Sequence, residues 1–280
     1  MTKLLRADFR RYAKNIIPWS GLLASLLCGA VSGLNTRICR YIDDIFILPF
    51  FVILTVVISL MIGTEHSDGA IRRKVAVGHT KGEIYLSQLC IAVAYTTAAV
   101  LLYFGAFMPF MVGMRVLFPI SALLLTLLGF WVISMAYAAM AVTIAMSVSP
   151  KAISAVAAIL LVMATVFVTY TVDDVLGQPD YIHIESVYPT GEVVVVEEAN
   201  PRYVGEPWRT ILEAVKKGNP YGSTICYTEI MDPFFWENDA PTALTAEGER
   251  MMKALPLYPL SIGLLFSLGG WLGFRKKELK

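Results

Sequence analysis

Charge is what this chain has least of. Only 16% of its 280 residues are Asp, Glu, Lys or Arg, against 56% hydrophobic ones. Soluble domains carry about a quarter charged residues, so an ordinary water-facing surface is excluded. The net charge of +1 gives no basis for nucleic-acid binding. Four cysteines without a C-x-x-C pair supply neither a disulfide framework nor a zinc motif. Cys28 and Cys90 fall in apolar runs. Cys39 and Cys226 share a predicted compartment, which permits a bond between them, but sequence cannot supply the geometry. No G-x-x-x-x-G-K-[ST] loop is present, and Gly78-His-Thr-Lys-Gly has the wrong spacing for one. His66 and His79, with Glu65 and Glu83 nearby, read as solvated loop residues rather than metal ligands. His183 and Glu185 lie two apart on a predicted strand, a weak pair by itself. No cofactor is expected on this chain.

What the chain does have is long apolar runs. Charge-free stretches cover Ile16 to Leu34, Ile45 to Thr64, Ile84 to Met114, Val116 to Pro150, Ala152 to Val172 and Ala254 to Phe274. Each reaches the ~17–25 residues that a helix needs to cross the hydrocarbon core. Backbone polar groups there must be satisfied internally, so helices are expected. A signal peptide is a poor reading of the first run, which exceeds the ~7–15 residues of an h-region. Ionisable side chains, the usual mark of ion relays, are absent from the run interiors. The mild polarity of Thr55, Ser59, Gln88, Thr96, Thr97, Ser134, Thr143 and Thr165 reads as helix-to-helix bonding.

Lys and Arg in short loops set the orientation. Fourteen fall on one side: five before the first span, then Arg72, Arg73, Lys74 and Lys81, Lys151, and Arg275, Lys276, Lys277 and Lys280. Only Arg37, Arg40 and Arg115 fall on the other. Both termini are therefore expected in the cytoplasm. The long segment 173–253 is then outside. It is acidic, with fifteen Asp and Glu against six Lys and Arg.

The predicted organisation is an all-α membrane protein. Residues 1–15 form a cytoplasmic amphipathic helix, with Leu4, Leu5, Phe9 and Tyr12 on one side, lying in the interface. Residues 16–172 hold spans one to five, with a cytoplasmic loop at 64–85. Residues 173–253 form a small extracytoplasmic α+β cap, with a strand over Glu192 to Glu198 and a helix over Pro207 to Lys217. Residues 254–274 are span six, and 275–280 a basic cytoplasmic tail. In the first span Gly21, Ser25, Gly29 and Gly33 recur every four residues, a small-residue ladder for close helix packing. Gly269 and Gly273 make a weaker one. Tyr12, Trp19, Tyr41, Tyr170, Tyr258 and Trp271 fall near predicted interfaces.

The loop Gly63-Thr-Glu-His-Ser-Asp-Gly-Ala-Ile-Arg-Arg-Lys-Val-Ala-Val-Gly-His-Thr-Lys predicts a short helix. Ser67 or Asp68 starts it and Gly78 stops it. Ile71 and Val75 form an apolar knob, with Arg72, Arg73 and Lys74 as a basic rim.

This loop, the start Lys3-Leu-Leu-Arg-Ala-Asp-Phe-Arg-Arg, the segment Asn200-Pro-Arg-Tyr-Val-Gly and the ending Gly270-Trp-Leu-Gly-Phe-Arg-Lys-Lys-Glu-Leu-Lys resemble the membrane permease subunits of the ABC type-2 exporter family, in particular members from Gram-positive bacteria. The resemblance implies a bacterial cell-membrane permease, working as a homo- or heterodimer with ATP-binding-cassette ATPase subunits that carry the ATP and Mg. It implies no catalysis on this chain. By position, Glu65, Asp68, Gly69, Ile71, Arg72 and Arg73 would form the coupling helix that docks on the ATPase, and the N-terminal helix would touch it too. The large acidic segment departs from many relatives, and the substrate stays open among peptide, drug, lipid and ion. A different class also fits these residues: a non-transporting membrane sensor or scaffold whose outer cap binds a ligand or partner. An adjacent ATPase gene would separate the two.

Overall fold

The computed structural model describes residues 2–39, 41–112, 120–187, 193–235 and 244–277. Arg40, Arg115, Glu192, Asp239, Lys280 and the start of the fourth run lie outside the described residues.

Among the described residues, six helices are long and apolar enough to cross a membrane. They are α2 (Ile16–Cys39), α3 (Leu48–Ser67), α5 (Lys81–Val112), α6 (Ile120–Ser147), α7 (Lys151–Leu176) and α11 (Leu257–Lys276). A seventh, α1 (Thr2–Ala13), precedes them, and the short α4 (Ala70–Ala76) joins α3 to α5. The chain is a helical, multi-pass membrane protein by length and composition. The helices overrun the charge-free runs because a helix does not stop where charge begins. That is how Glu65, read as a loop residue, comes to lie inside α3.

The glycine ladder is used inside the bundle. Gly21, Ser25, Gly29 and Gly33 are all buried. A Cβ at Gly29 would overlap the Tyr103 carbonyl, and one at Gly33 would meet the Phe107 backbone and the Phe110 ring. At Gly21 it would strike the Tyr95 hydroxyl and Val57. Missing side chains thus let α2 lie directly on α5, a contact held by dispersion at close range. The weaker pair is not used: Cβ atoms at Gly269 and Gly273 would meet nothing. On α11 the close approaches are at Gly263, against Ala136, and Gly270, against Tyr85 and Thr143. Behind the ladder, Phe50, Phe51, Tyr103, Phe130 and Tyr137 form a chain of aromatic rings with centroids 4.7 to 5.4 Å apart along it. Outward faces stay apolar, as Leu160 and Phe167 on α7 show.

Mild polar residues do bond helices together. Tyr137 pairs with Thr165 at 2.7 Å, Tyr85 with Thr143 at 3.1 Å, and Trp131 donates to Thr97 at 3.1 Å.

Segment 173–253 differs from a cap standing beyond the spans. Strands β1 (Tyr181–Val187) and β2 (Val193–Ala199) form an antiparallel hairpin, Tyr181 opposite Ala199. The side chains of His183 and Glu197 lie across it from one another, 3.6 Å apart. The helices that follow, α8 (Trp208–Gly218) and α9 (Pro220–Met231), lie alongside the bundle. Arg209 donates to the Leu176 carbonyl at 2.8 Å, whereas Asn219 donates to the Thr165 carbonyl at 2.7 Å. Between those two carbonyls α7 spans about 16 Å, so α8 runs antiparallel to it by that distance. The turn is tight: Gly222 sits on the Lys216 carbonyl, and Ser223 donates to the Lys217 carbonyl at 2.6 Å. Helix α9 then returns, buried, with Tyr227 packed on Gly129 of α6 and Asp232 accepting from the Ile42 N–H at 3.1 Å. A short helix, α10 (Ala246–Ala254), leads into α11.

Helix α8 exposes an apolar stripe, Trp208, Ile211 and Val215, beside the exposed Thr210 and Glu213. Its Lys216 turns inward, where Nζ lies 2.5 Å from Asp173 and 3.0 Å from Glu229. Burial alone would lower the pKa of this lysine, but the two carboxylates outweigh it and raise it. Cys39 is exposed and Cys226 buried, and both thiols are free.

Candidate functional site: a buried charge cluster beneath a basic helix

Two left-handed glycines bracket α4. Gly69, at φ 66, breaks the line of α3, and Gly78, at φ 98, ends the short helix. An L side chain rarely adopts such angles, so glycine suits both positions. Gly69 is itself the N-cap, without a side-chain hydrogen bond. Ser67 and Asp68, expected as caps, act elsewhere: Ser67 bonds back to the carbonyls of Gly63 and Thr64, and Asp68 accepts from Arg11 at 3.1 Å. After Gly78, Thr80 and Glu83 cap α5 reciprocally.

The inward face of α4 is Ala70, Ile71 and Lys74. Ile71 is 1% exposed, which corrects its reading as a projecting knob. It belongs to the core of this chain and is not available to a partner. Glu65 is likewise 0% exposed, so it too drops out of the surface set. Of the residues expected to make contact, Arg72, Arg73 and Asp68 are exposed, and Gly69 is half-buried. Val77, which the sequence reading passed over, is 81% exposed. The surface of this corner is thus Arg72, Arg73, Ala76 and Val77.

Beneath it lies an ion cluster. Lys74 Nζ sits 2.6 Å from Glu65 Oε2 and 2.7 Å from Asp8 Oδ1. Gln88 donates to the same Glu65 oxygen at 3.0 Å and accepts from the Tyr12 hydroxyl at 2.9 Å. Ser87 donates to Asp8 at 2.9 Å. Arg11 reaches the other Glu65 oxygen at 3.6 Å, and that oxygen has no hydrogen-bond partner. One ammonium therefore joins α1, α3 and α4, while Ser87 and Gln88 add α5. The charges of Asp8, Glu65, Lys74 and Arg11 cancel.

Burying such groups carries a desolvation cost, so the cluster is not a large net source of stability. Its value is directional: it fixes one arrangement of four helices. Burial, and then the Glu65 carboxylate, push the Tyr12 phenol well above its ordinary pKa, so it stays a neutral donor.

Helix α1 is built for this site. Its buried stripe is Leu4, Asp8 and Tyr12, spaced by four, while Phe9 is 59% exposed beside Arg6 and Arg10. The expected apolar side, with Leu4, Leu5, Phe9 and Tyr12 together, is thus divided. Lys74, expected on the basic rim, instead turns inward to Asp8 and Glu65, and Asp8 was not singled out from the sequence. A lone acid in a basic helix, four residues from Leu4 and from Tyr12, was the available signal.

The same end of the bundle is tied by two more lysines. Lys277 donates to the carbonyls of Met146 and Ser147 at 3.0 Å each, satisfying the end of α6. Lys81 does the same for α11, at 2.6 Å to the Lys277 carbonyl. The described chain therefore starts and finishes at the end that carries α4.

Elsewhere a cavity of about 70 Å³ lies between α5, α6 and α9, lined by Tyr103, Phe107, Met108, Phe130, Tyr227 and Met231. It is about half of a void that admits benzene, and too small for a translocation path. Among the described residues no group of three His, Cys, Asp or Glu is placed to hold a metal. These features define the class: a six-span helical membrane protein with a basic helix braced on a buried ion cluster. No protein-family model matches the chain, and no curated protein matches it.

Proposed function

We propose that this chain is the transmembrane subunit of an ATP-driven exporter in a bacterial cell membrane, with both termini cytoplasmic. One observation carries the reading. Helix α4 presents an exposed basic and apolar face, Arg72, Arg73, Ala76 and Val77, while its other face is locked to α1, α3 and α5 through Lys74. A helix held in that way can pass a push from a docked protein into the spans, because it cannot yield alone. The partner is an ATP-binding-cassette ATPase, which carries ATP and Mg. Of the residues expected to contact the ATPase, Asp68, Arg72 and Arg73 remain in the docking role, and Glu65 and Ile71 become its internal support. In this reading the path forms between two permeases, as a homo- or heterodimer.

The test is co-expression with the ATP-binding-cassette ATPases of the same genome, followed by purification through a tag on this chain. An ATPase recovered in stoichiometric amount, with hydrolysis raised by the membrane subunit, is expected. Recovery of the chain alone from a genome whose ATPases are all expressed contradicts the reading. Orientation is checked separately in a cysteine-free background. Membrane-impermeant reagent should modify Glu197→Cys and not Lys151→Cys in intact cells.

A further inference from the structure

At the α4 end, a groove of about 460 Å³ runs between the start of α5 and the end of α11, lined by Thr80, Lys81, Gly82, Glu83, Leu86, Trp271 and Arg275. Its chemistry is not used by the ion cluster. Two cations line it. Lys81 spends its hydrogen bonds on backbone carbonyls, and Arg275 stacks on the Trp271 ring at 4.6 Å. Among the described residues neither forms an ion pair. Glu83 is the one acid in the lining, and it is folded back onto Thr80 at 3.0 and 3.2 Å.

The donors converge. The first turn of α5 begins in the groove; Thr80 receives the N–H groups of Glu83 and Ile84, which leaves those of Lys81 and Gly82 without an upstream carbonyl. Trp271 Nε1 is buried with no acceptor, and it lies against Gly82, where a Cβ would come within 2.9 Å of it. The groove is therefore rich in donors and positive charge and short of acceptors.

Its lower end is apolar. On α5, Leu86 and Val93 are 38% and 39% exposed, seven residues apart on one helical face. On α11, Leu264 and Leu268 are 55% and 58% exposed and share a helical face with Trp271 and Arg275. Exposed apolar side chains thus follow the cationic groove on each of the two helices that line it.

We infer that this groove holds the phosphate headgroup of an anionic phospholipid, whose chains lie along Leu86, Val93, Leu264 and Leu268. A free phosphate shares the headgroup chemistry, but it would leave the apolar track unused. An anionic leaflet draws basic segments at about 1 kcal/mol per charge, which supplies the long-range part of the attraction. The inference does not depend on the exporter reading, because it concerns lipid and not the ATPase.

The test is native mass spectrometry of the purified chain, with phosphatidylglycerol or phosphatidylcholine added to the detergent. One phosphatidylglycerol should survive activation that strips phosphatidylcholine. In Lys81→Gln/Arg275→Gln its retention should fall about tenfold, to the phosphatidylcholine level. Arg250→Gln/Lys253→Gln removes the same charge from α10 and its C-terminal turn, and should leave retention unchanged. Arg275→Gln alone changes an exposed side chain and keeps the test readable if loss of the Lys81 cap loosens α11. Soluble glycerol phosphate in millimolar excess should not displace the lipid. Equal retention of phosphatidylglycerol by wild type and both groove variants overturns the proposal. Full displacement by glycerol phosphate overturns it too, by making the site one for phosphate alone.

Discussion

The Lys74 ammonium lies 2.6 Å from the Glu65 carboxylate, nine residues earlier in the chain and on a different helix. The left-handed turn at Gly69 makes this possible, because it folds α4 back against the end of α3. The same ammonium also reaches Asp8, so removing it would leave the buried Asp8 carboxylate without a cation and Glu65 with only Arg11, at 3.6 Å.

Lys74→Met should therefore destabilise the protein by about 3–5 kcal/mol, the range for breaking a buried pair on one side. Glu65→Gln with Lys74→Met should cost less than the sum of the two single changes, since the orphaned charge is removed with its partner. Thermal unfolding in detergent of the four proteins gives the coupling. Strict additivity would mean that the two side chains do not interact.

Gly29→Ala places a Cβ on the Tyr103 carbonyl. Backbone must move to admit it, so a loss of about 1–3 kcal/mol is expected. Gly269→Ala and Gly273→Ala meet nothing and should leave the unfolding temperature unchanged. No loss at Gly29, or the same change at all three positions, would show that close packing does not govern these positions, because helix propensity alone favours Ala over Gly.

How much of this could be read in the sequence depends on the range of the interaction. The six spans were legible because hydropathy is a local property summed over twenty residues. The ladder was legible because Gly21, Ser25, Gly29 and Gly33 carry their spacing on their face. The ion cluster was not, because Asp8, Glu65 and Lys74 come from three helices. Charge ends a hydropathy run, so Glu65 looked like loop although α3 continues through it. Ile71 and Val77 show a second limit. Periodicity says which residues share a face of α4, but not which face meets the bundle. Helix α8 shows the same ambiguity reversed: its apolar side, Ile211 and Val215, faces outward, and its lysine faces in.

Lys216 pins α8 to Asp173 on α7 and Glu229 on α9. Beside it, burial raises the Cys226 thiol to about 11, so this cysteine should react slowly at neutral pH. In a chain lacking Cys28, Cys39 and Cys90, maleimide labelling of Cys226 is expected to be slow and to rise about tenfold in Lys216→Met, as the helical pair opens locally. Equal rates in both proteins would show that apolar packing alone holds α9 in place.

The central claim is that the exposed face of α4 docks the ATPase while its buried face transmits the contact. The direct measurement uses Arg72→Glu/Arg73→Glu, co-expressed with the ATPase and purified through the membrane subunit. Both side chains are exposed, so the unfolding temperature of the chain alone should not change. Recovery of the ATPase, and the hydrolysis stimulated by the complex, should fall at least tenfold. Ile71→Asp should behave differently, lowering the stability of the chain itself because Ile71 is buried in its own core. A full complement of ATPase with undiminished stimulated hydrolysis in Arg72→Glu/Arg73→Glu would contradict the account.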